Sequence, residues 1–335
     1  MPTAMELTFD LRVPRWAPST TTEIYQAAVD MCEWADAAGF QAMTIGEHHT
    51  TEDQYITSPL MFATAVGART SKLQLRMIIL APFYNPLRLA EDLAVLNLLT
   101  DGRAVPVISA GMRDAEFDMY GLRREDRPAV VEETVEVLRK AWSGKPFRYR
   151  GRDIEIVSPV PDKTPRLLMG ASWPKMIRKA AAIADGLSPA EAGLYELFRA
   201  ERRKLGKPDP GEFPNQSASF IHITEDPEGD WEKLFPYWAH GPRIYQKWAE
   251  EIGKPVNEKF PAVESVEQMR KVPVFRVFTP DESLEYAQSL GPNGELRFRP
   301  LAGGMPPELG WASLKLFEKK VLPHLDVRFT PNIHY

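Results

Sequence analysis

The feature that most constrains the fold is a repeated alternation of short apolar runs with helices that begin on a capping residue. Ser58-Pro59 and Asn85-Pro86 each place a side-chain acceptor before a proline, which is typical of a helix N-terminus. The run 73–80 is apolar almost throughout, as in a strand covered on both faces. Short connections between such elements favour parallel strands joined by helices.

The full pattern predicts an α/β protein, specifically a (β/α)8 TIM barrel with insertions. The chain of 335 residues is expected to form one domain, with a short excursion at 147–157. Residues 225–271 lack a strand pattern and are interpreted as a partly helical, lid-like insertion over the barrel mouth. The predicted strands are 6–11, 40–45, 73–80, 105–109, 166–169, 186–188, 217–224 and 296–300. The predicted helices are 20–39, 58–70, 85–99, 128–142, 175–184, 191–205, 280–290 and 311–321.

Composition and charge exclude several classes of protein. With 44% hydrophobic and 26% charged residues the chain resembles an ordinary globular protein, and its net charge of −5 gives no electrostatic footprint for nucleic acid. No run approaches the roughly 18–20 apolar residues of a membrane span, and no secretory signal is visible, so we expect a cytoplasmic protein. Cys32 has no cysteine to pair with and is expected in the core.

The tetrad Gly46-Glu47-His48-His49 follows the predicted strand that ends at residue 45. A carboxylate and two imidazoles at the exit of a buried strand are costly unless they are hydrogen-bonded or used. The tetrad is therefore either a structural hydrogen-bond network or the place of a catalytic or cofactor-contacting histidine. A metal site is not expected, because the spacing matches neither HxH nor HExxH.

Two further segments follow predicted strands. Gly170-Ala171-Ser172-Trp173-Pro174-Lys175 leads into a helix, where small residues, free backbone N–H groups and a lysine can seat a phosphate. The alternative is a tight strand-to-helix turn. Gly111-Met112-Arg113 could form a second wall of the same site, with Arg113 either contacting an anion or solvated in a loop.

Other candidates carry less information. His222 lies inside a predicted strand and is expected to be a core or wall residue, and His240 shows no pattern. The chain has no GxGxxG, no GxxxxGK[ST] and no GxSxG. It therefore shows no dinucleotide site of the Rossmann type.

Together these segments resemble the bacterial luciferase-like family of flavin-dependent monooxygenases. The most specific stretch is 85–103, Asn-Pro-Leu-Arg-Leu-Ala-Glu-Asp-Leu-Ala-Val-Leu-Asn-Leu-Leu-Thr-Asp-Gly-Arg. The other matching segments are 37–49, 116–121, 133–142, 168–172 and 316–323.

The resemblance implies a TIM barrel that uses reduced FMN supplied by a separate reductase. The flavin would react with oxygen to give a C4a-hydroperoxide, which oxygenates a small organic substrate. His48 matches the family's active-site histidine, and Glu47 would orient it. Met77 and Ile78 match the place of a bulge or non-proline cis peptide against the isoalloxazine. The family also implies a homodimer.

The chain departs from luciferase proper at two positions, with Ala110 in place of an arginine and Ala171 in place of a glutamate. Affinity for the phosphate must then come from Ser172, backbone N–H groups, Lys175 or Arg113. Relatives in the superfamily use the deazaflavin F420, so F420-dependent hydride transfer is an alternative. A non-catalytic flavin-binding partner subunit is a third, which the intact Glu47-His48 pair argues against.

Overall fold

The computed structural model describes residues 2–189, 192–254, 258 and 260–327. Among these, the chain forms two compact units. The first contains the residues up to Thr57 and those from Pro214 onward, and the second is Ser58–Phe213.

The N-terminal part of the first unit is β1 (Pro2–Phe9), α1 (Thr21–Ala37) and β2 (Ala42–Ile45). Thr20 and Glu23 form a capping box that starts α1. The apolar face of α1 is buried and includes Cys32, as predicted. Gly39 follows the helix at φ 84°, a backbone conformation that favours glycine.

The second unit begins with elements whose caps the sequence identified. Asn85 accepts hydrogen bonds from the backbone N–H groups of Leu87 and Arg88, whereas Ser58 precedes its helix without a side-chain cap. The elements are α2 (Pro59–Arg69), β3 (Gln74–Leu80), α3 (Pro86–Leu99), β4 (Ala104–Ser109), α4 (Asp114–Met119), α5 (Arg127–Trp142), β5 (Phe147–Tyr149), β6 (Arg152–Ile154), β7 (Leu168–Ala171), α6 (Pro174–Ile183), β8 (Gly186–Pro189) and α7 (Ala192–Lys204). The predicted start of the last helix, Glu191, lies outside the described residues.

Four strands of the second unit pair in parallel in the order β3-β4-β7-β8. The register of β3 on β4 runs without a break from Leu75 opposite Ala104 to Leu80 opposite Ser109. The predicted excursion forms the antiparallel β5-β6 hairpin. The carboxyl ends of the parallel strands carry the loops in which the sequence placed candidate residues.

The C-terminal part of the first unit completes its sheet, in which β12 pairs with β1 and β1 pairs with β2, all in parallel. Its elements are β9 (Asn215–Gln216), β10 (Phe220–Ile223), α8 (Pro227–Glu251), α9 (Val266–Lys271), β11 (Phe275–Phe278), α10 (Pro280–Ser289), β12 (Gly294–Phe298), α11 (Pro307–Lys320) and β13 (Asp326–Val327). The insertion is helical over α8 and α9, but 255–257 and 259 lie outside the described residues.

The predicted seventh strand, 217–224, is wrong in its pairing. Only Asn215–Gln216 pairs with β12, and the Ser217 hydroxyl then accepts the backbone N–H of Arg297 in place of a backbone carbonyl. The chain turns away, and β10 pairs instead with β11, a strand that the sequence analysis missed. The pair packs on an aromatic cluster of α8, including Trp231 and Trp238.

Every helix in the described part of the chain is too short or too polar to cross a bilayer.

Candidate active site

Glu47, His48 and His49 lie directly after the carboxyl end of β2 and are all buried, with exposures of 2%, 8% and 5%. The backbone N–H of His48 donates to the carbonyl of Ile56 at 3.2 Å, which fixes the loop that follows β2. Polar side chains are thus held inside the first unit at a strand end, as the sequence predicted.

The two imidazoles have different surroundings. His49 Nε2 lies 3.0 Å from Glu47 Oε1, so this carboxylate holds the second histidine of the tetrad. The sequence analysis paired Glu47 with His48, and that pairing stays a prediction. Residues two apart on an extended backbone point to the same side, which accounts for the contact of Glu47 with His49.

His48 lies among aromatic rings. Its ring centroid is 4.9 Å from that of Tyr55, 4.7 Å from that of Trp248 and 5.8 Å from that of Tyr245. Tyr55 belongs to the loop after β2, whereas Tyr245 and Trp248 are on α8. The insertion therefore supplies part of the surroundings of His48.

A buried arginine packs against the same aromatic rings. Arg12 is 0% exposed, and its guanidinium carbon lies 4.7 Å from the Tyr55 ring centroid and 5.4 Å from that of Tyr245. Asp10 contacts its Nε at 3.1 Å and Asp53 contacts its Nη1 at 2.9 Å. Burial opposes the charge of Arg12, but Asp10, Tyr245 and Asp53 outweigh it and raise the pKa of the guanidinium.

Asp53 joins this arginine to α8. Its Oδ2 lies 2.9 Å from His240 Nε2, and the His240 ring packs edge-on against Trp16. Burial alone would raise the pKa of Asp53, but the hydrogen bond from His240 and the charge of Arg12 lower it to about 2. Asp53 is therefore ionised at neutral pH.

Sequence reasoning missed Arg12, Asp53, His240, Tyr245 and Trp248. Arg12 directly follows the predicted strand 6–11, the same signal that singled out Glu47, so it could have been found, and Asp10 lies near the end of that strand. His240 is separated from Asp53 by 187 residues, and no local sequence pattern indicates the contact. His222 is buried and lies 3.2 Å from Asp230, which confirms the prediction of a satisfied core residue.

Gly46 is required by the close approach of Tyr55. A Cβ at residue 46 would lie 2.2 Å from the Tyr55 hydroxyl oxygen and 3.2 Å from its Cζ. We expect Gly46→Ala to displace the Tyr55 ring and to lower the free energy of unfolding by about 1–3 kcal/mol, as overpacking does. Chemical denaturation of the purified variant measures this.

Gly241→Ala is the matched control, because a Cβ there has no described neighbour within 4 Å. We expect it to leave stability unchanged or to raise it slightly, since alanine is favoured over glycine in a helix. Equal stability of the two variants would contradict the close packing of Tyr55 on Gly46.

In the second unit, β3 separates the two residues that the sequence assigned to the flavin. Met77 is fully buried, whereas Ile78 is partly exposed and packs with Val105, Val107 and Leu168. Successive residues of a strand face opposite sides, so the Ile78 side chain lies on the partly exposed face of β3 and the Met77 side chain on the buried face.

The expected bulge or non-proline cis peptide is absent from this part of the described chain. The cis bond found among the described residues is Ser158-Pro159, and the bonds of 77–79 are trans. The unbroken register of β3 on β4 leaves no extra residue for a bulge.

The loop after β4 holds Gly111, Met112 and Arg113. Gly111 has φ 70°, which favours glycine, and it packs beside Phe117. Arg113 is 7% exposed, and its Nη1 lies 3.8 Å from the buried Glu116. The alternative of a solvated loop residue is therefore wrong for Arg113.

The loop after β7 leads directly into α6. A Cβ at Gly170 would lie 2.2 Å from Ser109 Oγ, so β7 approaches β4 closely only because residue 170 is glycine. Ala171 is buried, and Ser172, Trp173 and Lys175 are exposed. Trp173 is the N-cap of α6 and makes no side-chain cap, which leaves the N-terminal backbone donors of that helix to a ligand or solvent.

The sequence profile described as luciferase-like monooxygenase matches residues 6–281. The chain belongs to the luciferase-like monooxygenase family.

Solved structures support the barrel fold of this luciferase-like protein. The monooxygenase RslO1 from Streptomyces bottropensis superposes with a TM-score of 0.77 at 21% identity, covering 96% of this chain and 99% of that one. The oxygenating constituent of 3,6-diketocamphane monooxygenase from Pseudomonas putida, in complex with FMN, superposes with a TM-score of 0.75 at 17% identity. The superposition covers 98% of this chain and 100% of that one. These likenesses confirm the predicted fold class, an α/β protein of the TIM-barrel type.

A curated relative shows the breadth of the luciferase-like family. The F420-dependent glucose-6-phosphate dehydrogenase 1 of Rhodococcus jostii is 26% identical over 63% of this chain and 69% of its own. The chain spans about half the length of the first curated relatives that it matches, 43% and 53%.

Proposed function

We propose that this protein is an FMN-dependent monooxygenase that uses reduced flavin from a separate reductase, together with oxygen, to oxygenate a small organic substrate. One observation carries the proposal. A member of the luciferase-like family buries Glu47, His48 and His49 at the carboxyl end of β2, the end of the strand at which α/β barrels place their chemistry.

The proposed flavin seat is formed by the strand ends of the second unit. Ile78 would pack on the flavin ring, and the phosphate would lie at the N-terminus of α6, where backbone donors attract an anion. Met77 is also a proposed contact, and its side chain is fully buried on the other face of β3. The remaining cofactor contacts proposed are Gly111, Met112, Arg113, Gly170, Ala171, Ser172, Trp173 and Lys175.

The proposed role of His48 is proton transfer or hydrogen bonding to the reacting oxygen. An imidazole has one ring nitrogen that can donate a proton and one that can accept it, which suits both roles. The rings of Tyr55, Tyr245 and Trp248 exclude water from the His48 side chain. Burial also raises the pKa of Tyr55 well above its usual range, so its hydroxyl stays protonated and can donate. When bound, reduced FMN would supply the electrons that activate oxygen.

The second candidate is an F420-dependent oxidoreductase, which the similarity to the F420-dependent dehydrogenase favours. We expect reduced FMN to bind at micromolar concentrations and reduced F420 to bind at least about tenfold more weakly. Fluorescence titration under anaerobic conditions measures both affinities. Oxygen uptake and product formation with FMN then report turnover, with an unrelated flavin carrier protein as the control.

Tight binding of F420 with substrate reduction and no oxygen uptake would contradict the proposal and establish the second candidate. Flavin binding without turnover, and activity only in a complex with a catalytic homologue, would establish the non-catalytic subunit.

We propose a cytoplasmic single-domain enzyme that acts as a homodimer and binds neither nucleic acid nor membrane. The α8 region of the insertion would order over the bound ligand, in keeping with the contacts of Tyr245 and Trp248 with His48.

A further inference from the structure

The carboxyl end of β12 places two arginines on one face. Phe298, the last residue of the strand, packs its ring against Phe40 at 5.7 Å and against Phe317 of α11 at 5.0 Å. Phe298 therefore points toward the helices. Because side chains alternate along a strand, Arg297 and Arg299 lie on the opposite face.

Arg297 has partners on neighbouring strands. Its Nη1 donates to Gln216 Oε1 at 3.1 Å, and its backbone N–H donates to the Ser217 hydroxyl at 2.9 Å. The parallel register places Glu6 of β1 beside Arg297, so the acid on that strand lies level with Arg297 rather than with Arg299.

Arg299 has no such partner among the described residues. Its Nε is shielded from solvent and makes no hydrogen bond, and its guanidinium forms no ion pair with any described acid. The guanidinium packs instead on the ring of Phe220, whose centroid lies 5.4 Å from the guanidinium carbon. Burial and the neighbouring charge of Arg297 lower the pKa of Arg299.

Arg12, in the same unit, is a buried arginine whose charge is balanced by acidic side chains. Asp10 and Asp53 both contact Arg12, and the pKa of its guanidinium is raised. Asp10 acts on Arg299 only at longer range, and Tyr55, whose pKa is raised by burial, is neutral at physiological pH. The charge of Arg299 is thus left for a group from outside the chain to neutralise.

We propose that Arg299 receives the carboxylate of an organic acid, and that this acid is the substrate. The planar guanidinium fork matches a carboxylate with two parallel hydrogen bonds. The Phe220 ring, buried in the aromatic cluster of α8, packs against the guanidinium and supports its orientation. Arg299 remains partly exposed, so an acid can reach it. The assignment to substrate rests on the proposed monooxygenase function, whereas the carboxylate site does not.

The test compares phenylacetate with its neutral isostere phenylacetamide on the purified protein, without flavin or turnover. Isothermal titration should show at least about tenfold tighter binding of phenylacetate, the size of a charge-assisted hydrogen bond. In Arg299→Met the two probes should bind equally, and Arg299→Lys should recover part of the preference.

Arg276→Met is the matched control, because the Arg276 guanidinium already donates to the carbonyl oxygens of Val272 and Phe275. It should keep the preference of the unmutated protein. Arg299→Met should melt at the same temperature or higher, since it removes an uncompensated charge. A structural arginine would instead lower Tm.

Three results would overturn the proposal. The first is an unmutated protein that does not prefer the carboxylate, and the second is an Arg299→Met variant that keeps the preference. The third is a loss in Arg299→Met of affinity for FMN but not for riboflavin, which would make the flavin phosphate the anion at Arg299. Because the probes need no turnover, failure of the monooxygenase proposal would leave the binding result intact.

Discussion

Replacing His48 by alanine is expected to lower product formation by about 10²–10⁴-fold, the usual contribution of a positioned acid or base. Flavin affinity should change little, because in this account the flavin is held by the strand ends of the second unit. The measurement pairs single-turnover product yield with anaerobic flavin titration. Substrate should still bind, so the loss should appear in kcat rather than in KM.

The matched control is His49→Ala. Its imidazole contacts Glu47 at 3.0 Å, so its loss leaves a buried carboxylate without that partner and should lower stability more than chemistry. If His48→Ala turns over at the rate of the unmutated protein, His48 has no part in the reaction. If His49→Ala loses product while its Tm is unchanged, the roles of the two histidines are reversed.

Replacing Arg12 by methionine is expected to destabilise the protein by about 3–5 kcal/mol, as breaking a buried ion pair does. Asp10 and Asp53 would lose the cation between them, and the rings of Tyr55 and Tyr245 would lose the guanidinium that they flank. Because Tyr55 also packs on His48, part of the effect should reach turnover. Guanidinium chloride denaturation gives the stability change.

Arg88→Met is the comparison for Arg12. Arg88 pairs with Asp92 on α3, but its side chain is 71% exposed, so its loss should cost under about 0.5 kcal/mol. Equal effects of the two substitutions would contradict the buried cluster.

The pH dependence of stability tests the same cluster through Asp53. The pKa of Asp53 in the folded protein is about 2, below the usual value of about 3.9, so its stabilisation is present above about pH 4. It is lost as the pH falls from about 4 to about 2. The stability difference between the unmutated protein and Asp53→Asn should therefore shrink by about 2 kcal/mol over that range.

Local sequence rules predicted most of the elements. Local residues mark these helix ends strongly. The caps Thr20 and Asn85 begin α1 and α3, and Gly39 at positive φ follows the end of α1. The pairing of β10 could not be predicted this way. It depends on Phe275–Phe278, which lies about 50 residues later and competes with β12 for the same segment.

The candidate site, too, was only partly predictable from the sequence. Glu47 and His48 were found because polar groups at a buried strand end are conspicuous in a sequence. The partners of these residues on α8 were missed, because Tyr245 and Trp248 reach His48 only through the folded insertion. The contact of Glu47 with His49 depends on the backbone path after β2, which residue types alone do not determine.

The most direct test of the account is a crystal structure with bound FMN. We expect the isoalloxazine to lie within contact distance of the His48 imidazole. A flavin ring remote from His48 would contradict the central claim.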